Sequence, residues 1–269
     1  MAQALTLQGD LINSGLIQGS DRLSASGDRL ANRQGGQMLS AGALGLNAAT
    51  QIDNQGALQG DTLQLNAQRL QNDGSAHGAS GAEAQIGDAL INHGSLTSEK
   101  SLALQAATML NQGTLAADRL SLTAPQLTNG GLIQGNSALT LANAQIANQR
   151  SGNILSGGPL TLTPDQLDND GLLQINGALD LTARQLNNGG KITADSMTLH
   201  MGDRLNNSGE LLAQQQATLN AQTLDNSGAI AARDLTLTAD TLHNQARRRA
   251  TIALRLPRSS WITNAAARC

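Results

Sequence analysis

The sequence predicts an all-β chain wound into a parallel β-helix, a solenoid of about 12–13 coils with ~19 residues per coil. Three observations predict it. A Leu-x-Asn-x-Gly pentad recurs along almost the whole chain. A Leu-x-Leu-x-Ala segment lies between successive pentads and alternates with period two, the signature of strands. The 269 residues include no Phe, no Tyr, no Val and a single Trp, Trp261, so the 39% hydrophobic fraction is almost entirely Ala, Leu, Ile and Met. A large catalytic core packed on aromatic side chains is not expected from that inventory.

The pentads fall in order. The first is Leu11-Ile12-Asn13-Ser14-Gly15, and Asn32 heads a stretched copy that reaches Gly35. Asn54, Asn72, Asn92, Asn111 and Asn129 follow, with Gly56, Gly74, Gly94, Gly113 and Gly131 two positions later. A second stretched copy runs from Asn148 to Gly152. Asn169, Asn188, Asn207 and Asn226 carry Gly171, Gly190, Gly209 and Gly228. The last copy, at Asn244, has Ala246 in place of the glycine. The spacing of these thirteen Asn residues drifts between 18 and 22. Loops absorb such drift and a helical phase does not.

The intervening strands include Leu63-Gln64-Leu65, Leu120-Ser121-Leu122, Leu179-Asp180-Leu181 and Leu235-Thr236-Leu237. A shorter alternating piece follows each glycine, as in Leu16-Ile17-Gln18-Gly19 and Ala229-Ile230-Ala231-Ala232. Each repeat is thus two or three short strands separated by turns. Leu and Ala favour helices intrinsically. Here spacing outweighs propensity, because Leu stands at i and i+2 and a glycine interrupts every unit.

Such a unit cannot bury its apolar face alone, and stacking identical units solves the problem. At about 4.8 Å per coil, the stack is a rod on the order of 60 Å long. The Asn column has a physical reason. Backbone groups lose partners where the chain turns. An inward Asn, carrying donor and acceptor, can bond to the Asn above and below and to the turn backbone. The glycine two positions later is expected to permit a sharp reversal. The thirteen Asn and their glycines are therefore expected to be structural. Leucine-rich horseshoe repeats fit poorly: they need Asn three residues after the second Leu, whereas Asn72 follows Leu65 by seven. The Gly-Gly-x-Gly-x-Asp calcium repeat is absent.

The Leu-x-Asn-x-Gly…Leu-x-Leu-x-Ala unit, over about residues 5–245, resembles the repeats of filamentous-haemagglutinin-like and HecA-like adhesins and of contact-dependent growth-inhibition toxin stalks. The resemblance implies a right-handed β-helical filament. It also implies export by two-partner secretion through an outer-membrane transporter, and display on or release from the bacterial cell surface. A host or neighbouring-cell receptor or glycan is implied as a partner. No secretion domain or toxin domain is recognisable, and the chain opens in mid-coil at Leu5-x-Leu7, so a piece of a longer exoprotein is expected. The lone cysteine, Cys269, leaves the body free of disulfides, which suits a chain threaded unfolded across an oxidising compartment.

Residues 247–269 contain six Arg and no acid, which leaves residues 1–246 with 11 basic against 20 acidic side chains. A body of that sign is not expected to bind nucleic acid. Residues 1–246 form the repeat domain, and residues 247–269 form an atypical Arg-rich tail. Three readings of the tail stand open: a basic patch for an anionic surface, a frameshifted or chimeric end, and a degenerate last coil, since Asn264 lies 20 residues after Asn244. Residues 1–7 have neither a basic n-region nor an apolar h-region and are not expected to act as a signal peptide, and no apolar run reaches a membrane span.

Chemistry-bearing residues do not converge. Asp53, Asp168 and Asp225 share the place before the motif Asn but lie in the third, ninth and twelfth coils. Asp165, Asp168 and Asp170 make the densest acidic spot, and solvated turn carboxylates are the expectation. His77, His93, His200 and His243 sit at different repeat phases, so no metal site or His relay is expected. The segment from His77 to Gly87 lacks Leu-x-Leu and is expected to be a poorly packed coil rather than a bulged loop. The expected function is a non-enzymatic, cofactor-free stalk segment for adhesion or presentation of a distal toxin. The alternatives are a polysaccharide-acting β-helix enzyme, which needs carboxylates converging on adjacent coils, and a nonfunctional fragment of an adhesin gene.

Overall fold

The computed structural model describes residues 3–245. The tail, with Arg247–Arg249, Trp261 and Cys269, lies outside the described residues. Within them the chain forms 26 strands and no helix, from Ala4–Gln8 to Asp234–Asn244. The strands join equivalent positions of successive coils in parallel ladders, so the molecule is a parallel β-helix.

Each coil has three faces. On the first, the Leu-x-Leu pairs stack in register: Leu5 on Leu23, Leu23 on Leu44, Leu44 on Leu63. The second face carries Leu-x-Asn. Its apolar column runs without a gap from Leu11 through Leu30, Ile52, Leu70 and Leu90 to Leu224 and Leu242. The third face follows the glycine and stacks Ile17, Met38, Leu58, Ala76 and Leu96, continuing to Ile230. Alternation puts these side chains inside and their neighbours in solvent, as in the burial of every second residue of Leu160–Leu162 and Gln166–Asn169. The three inner columns meet in one continuous core. Each fully buried Leu or Ile contributes about 1.5–3 kcal/mol relative to exposure, which is how a chain without Phe, Tyr or Val builds a stable interior.

Several strands do not end at a corner. Ala57–Asn72 and Ser75–Asn92 run through corners as single strands, and the ladder shifts register there, between Ala67 and Arg69 for example. These bulges absorb part of the spacing drift. The two stretched repeats differ. After Asn32 and after Asn148 the chain makes an extra turn before the third face. Hydrogen bonds close these turns, from Gly36 N–H to Arg33 C=O at 2.9 Å and from Gly152 N–H to Gln149 C=O at 2.7 Å.

The segment His77–Gly87 belongs to the strand Ser75–Asn92. Ala82 and Ala84 occupy the columns held by Leu63 and Leu65 below and Leu102 and Leu104 above. This coil is continuous with its neighbours but fills its core with methyl groups. No helix among the described residues is long and apolar enough to cross a membrane.

Candidate functional site

The structure brings Asn13, Asn32, Asn54, Asn72, Asn92, Asn111, Asn129, Asn148, Asn169, Asn188, Asn207, Asn226 and Asn244 into one column at the corner after the second face. Each Nδ2 donates to the Oδ1 of the Asn in the next coil, in twelve consecutive hydrogen bonds of 2.7–2.9 Å. From Asn13 through Asn207 the amide also reaches a backbone carbonyl: Asn72 Nδ2 reaches Ser95 C=O at 3.0 Å, and Asn111 Nδ2 reaches Leu132 C=O at 3.0 Å. These carbonyls fix which end of each amide is the donor. Every amide therefore points the same way along the rod, with its N–H toward the C-terminal coils. Interior members such as Asn72, Asn111 and Asn129 are fully buried. A buried amide is tolerated because its donors and acceptor are matched.

The motif glycines serve a different end from the one the sequence suggests. Left-handed backbone occurs at Gly9, Gly35 and Gly177, and at none of the ten motif glycines. Instead, a Cβ on Gly74, Gly94, Gly113, Gly131, Gly190, Gly209 or Gly228 would lie far inside contact distance of the carbonyl oxygen of the glycine one coil earlier. Gly56 and Gly171 meet the carbonyls of Gly36 and Gly152 in the same way. Gly15 stands in the first coil and has open space around it. The column demands glycine because neighbouring coils touch backbone to backbone there. In the first stretched repeat the column member is Gly36. Gly35, with φ +80°, only makes the extra turn. The sequence reading missed Gly36, although the doubled Gly35-Gly36 was the available signal.

The acidic candidates stay apart. Asp53 takes Arg29 Nη2 at 2.6 Å. Asp168 accepts from Gln166 Nε2 at 2.8 Å and from Asn187 Nδ2 at 2.7 Å. Asp225 meets His243 Nδ1 at 2.7 Å and Arg204 Nε at 3.4 Å. Each carboxylate is held by side chains of its own or an adjacent coil. Asp165 and Asp170 are exposed.

The four histidines are likewise dispersed. His77 meets Thr97, His200 meets Asn220, His93 meets Asp73 at 2.7 Å, and His243 meets Asp225. The hydrogen bond with His93 holds the Asp73 carboxyl below the usual carboxylate range. Burial works against it, and Gln71 works with it. This pair was missed too, although Asp73 and His93 both directly follow a motif Asn on adjacent coils. Among the described residues, no group of three or more His, Cys, Asp or Glu is placed to hold a metal ion. An open trough of about 690 Å³ runs along the glycine corner of the later coils, edged by Arg150, Asp170 and the Lys191–Glu210 ion pair.

Comparison with known proteins matches this architecture. The haemagglutinin repeat family model matches residues 2–68, 60–124, 112–176 and 169–251. The chain is 41% identical over 135 residues to the deoxyribonuclease CdiA of Dickeya dadantii, covering 49% of this chain and 4% of that protein. It is 35% identical over 180 residues to a tRNA nuclease CdiA of Escherichia coli O6:K15:H31, covering 58% and 5%. It is 35% identical over 225 residues to the 16S rRNA endonuclease CdiA of Enterobacter cloacae, covering 73% and 7%. The chain thus spans less than a tenth of the length of these relatives. No solved structure matches it.

Proposed function

The chain belongs to the haemagglutinin repeat family, and we propose that it is a stalk segment of a long secreted bacterial exoprotein. Its work is mechanical. It holds a distal toxin or adhesive region away from the cell and offers stacked polar faces for adhesion. The observation that carries this reading is the unbroken column of twelve Asn–Asn hydrogen bonds, which couples every coil to the next along the rod. A stack with matched polar groups and one continuous core resists bending and sliding between coils.

The nuclease names of the relatives describe proteins more than ten times the length of this chain. We assign no such chemistry to these coils. The separate partners of Asp53, Asp168 and Asp225, on distant coils, support a non-enzymatic role. The partner in export would be an outer-membrane two-partner secretion transporter, and the place of action the cell surface. A receptor or glycan would meet the outer faces.

A transplant tests the reading. Residues 13–244 replace an equal number of coils in the repeat region of the Escherichia coli relative. The chimera is expected to reach the cell surface and to keep its rod length in electron micrographs. Retention inside the cell, or a collapsed rod, would contradict the proposal. Measurable polysaccharide cleavage by the purified chain that Asp168→Ala abolishes would contradict its non-enzymatic part.

A further inference from the structure

The sequence contains three Asn-Gly dipeptides: Asn129-Gly130, Asn176-Gly177 and Asn188-Gly189. In a flexible chain this dipeptide is the one most prone to self-attack, because glycine puts no side chain in the path and leaves the backbone free to bend. The reaction needs two liberties. The backbone nitrogen of the glycine must lose its proton and reach the Asn Cγ. The Asn amide must be free to rotate toward it.

The fold removes both liberties at two of the three. Gly130 N–H donates to Asn111 C=O at 2.7 Å, and Gly189 N–H donates to Asn169 C=O at 2.8 Å. The side chains of Asn129 and Asn188 are fixed on both sides. Asn129 accepts from Asn111 and donates to Asn148, each at 2.8 Å. Asn188 accepts from Asn169 at 2.8 Å and donates to Asn207 at 2.7 Å. At Asn176 the arrangement is reversed. Its side chain is exposed and lines a solvent-open cleft of about 400 Å³ with Gln174 and Lys191. The Asn176 backbone N–H donates to Ser156 C=O at 2.8 Å, but neither its side-chain amide nor the Gly177 N–H meets a hydrogen-bond partner among the described residues. Gly177 itself sits in the left-handed region at φ +126°, outside any strand.

We infer that Asn176 is a site of spontaneous deamidation that converts the folded rod to a more acidic form. The Gly177 nitrogen, its proton taken by hydroxide, attacks Asn176 Cγ and forms a five-membered succinimide. The Cγ–Nδ2 bond breaks, and the nitrogen leaves as ammonia. Water then adds to one of the two ring carbonyls. Opening one C–N bond restores the normal backbone with aspartate, and opening the other leaves isoaspartate, with one extra backbone carbon. Nothing is oxidised or reduced, and the only co-reactant is solvent water. The product adds a carboxylate at the corner between the third face and the next Leu-x-Leu face. The rate rises with pH because the attacking group is the deprotonated nitrogen.

The test is peptide mass spectrometry of the intact chain after incubation in mildly alkaline buffer, with a parallel sample kept in urea. In the folded sample, amide loss at Asn176 is expected to run at least about tenfold faster than at Asn129 or Asn188, since exchange with solvent chemistry requires local opening there. In urea the three rates converge, because the dipeptides are then alike. Equal rates at the three sites in the folded chain would overturn the inference. So would an Asn176 rate in the folded chain far below its rate in urea. Asn176→Gln removes the fast product without touching the core, so a fast acidic species persisting in that variant would equally overturn it.

Discussion

Asn129 donates to Asn148 and accepts from Asn111, so truncating it leaves a donor and an acceptor unmatched in the interior. Asn129→Ala is expected to lower stability by about 2–4 kcal/mol, because the two orphaned amides each lose a partner they cannot replace with water. Urea denaturation measures it, and Asp170→Ala, at an exposed turn, serves as a near-neutral control. The glycines divide in the same way. Gly113→Ala drives a Cβ into the Gly94 carbonyl and is expected to cost about 1–3 kcal/mol. Gly45→Ala meets open space in a strand and is expected to stabilise by about 0.5–1 kcal/mol. Asp73 adds a pH dependence. Its folded pKa is depressed by His93, so its contribution is present above the ordinary carboxylate range and is lost as pH falls through the lowered folded value. His93→Ala is expected to move the Asp73 titration, followed by NMR, back toward the usual range. At this scale the Asn column was legible in the sequence, because a polar residue at a fixed phase beside inward Leu must be buried. The reason for the glycines was not. Recurrence shows that a side chain is excluded, and only coordinates show that a carbonyl one coil away excludes it.

The strand Ser75–Asn92 is the weak element. Ala82 and Ala84 stand where its neighbours place Leu, so the interface above and below it buries fewer methylenes. In a stack of nearest-neighbour contacts, opening starts at the poorest interior interface. Amide exchange within Ser75–Asn92 is expected to be faster than in Ala178–Asn188 or Ser196–Asn207, where Leu179, Leu181, Met197 and Leu199 fill the same columns. Uniform protection across these strands would contradict this. The missing Leu-x-Leu made the weakness visible in the sequence. The continuity of strands through corners was not visible. Ala67-Gln68-Arg69 carries no turn signal and no strand signal, and its bulge is set by the ladder of the coil beside it.

For the whole molecule, the coil is the unit of change. Deleting residues 93–111 joins Asn92 to Gln112-Gly113 and restores a Leu-x-Asn-x-Gly pentad. That variant is expected to fold into a rod one coil shorter, still cooperative by circular dichroism. Deleting residues 93–102 removes Leu96 and Leu102 from two of the columns and leaves half a coil, and is expected to give an insoluble chain. The family and the solenoid could be read from the repeat because nearly every coil repeats the same physical solution. The trough edged by Arg150 could not, because it depends on which residues of different coils become neighbours; the Asp73–His93 pair and the Asn176-Gly177 corner had a signal in the repeat phase and the dipeptide, but only the coordinates separate them from their look-alikes.

One continuous, one-directional column of Asn amides joins the coils. Side-chain amide hydrogen exchange, resolved by NMR, tests it most directly. Slow exchange is expected at Asn32 through Asn207, faster exchange at the half-buried Asn244, and free exchange at outward Asn47 and Asn66. If the interior amides exchanged as fast as those of Asn47 and Asn66, the column would not exist in solution, and the stalk built on it would have to be abandoned.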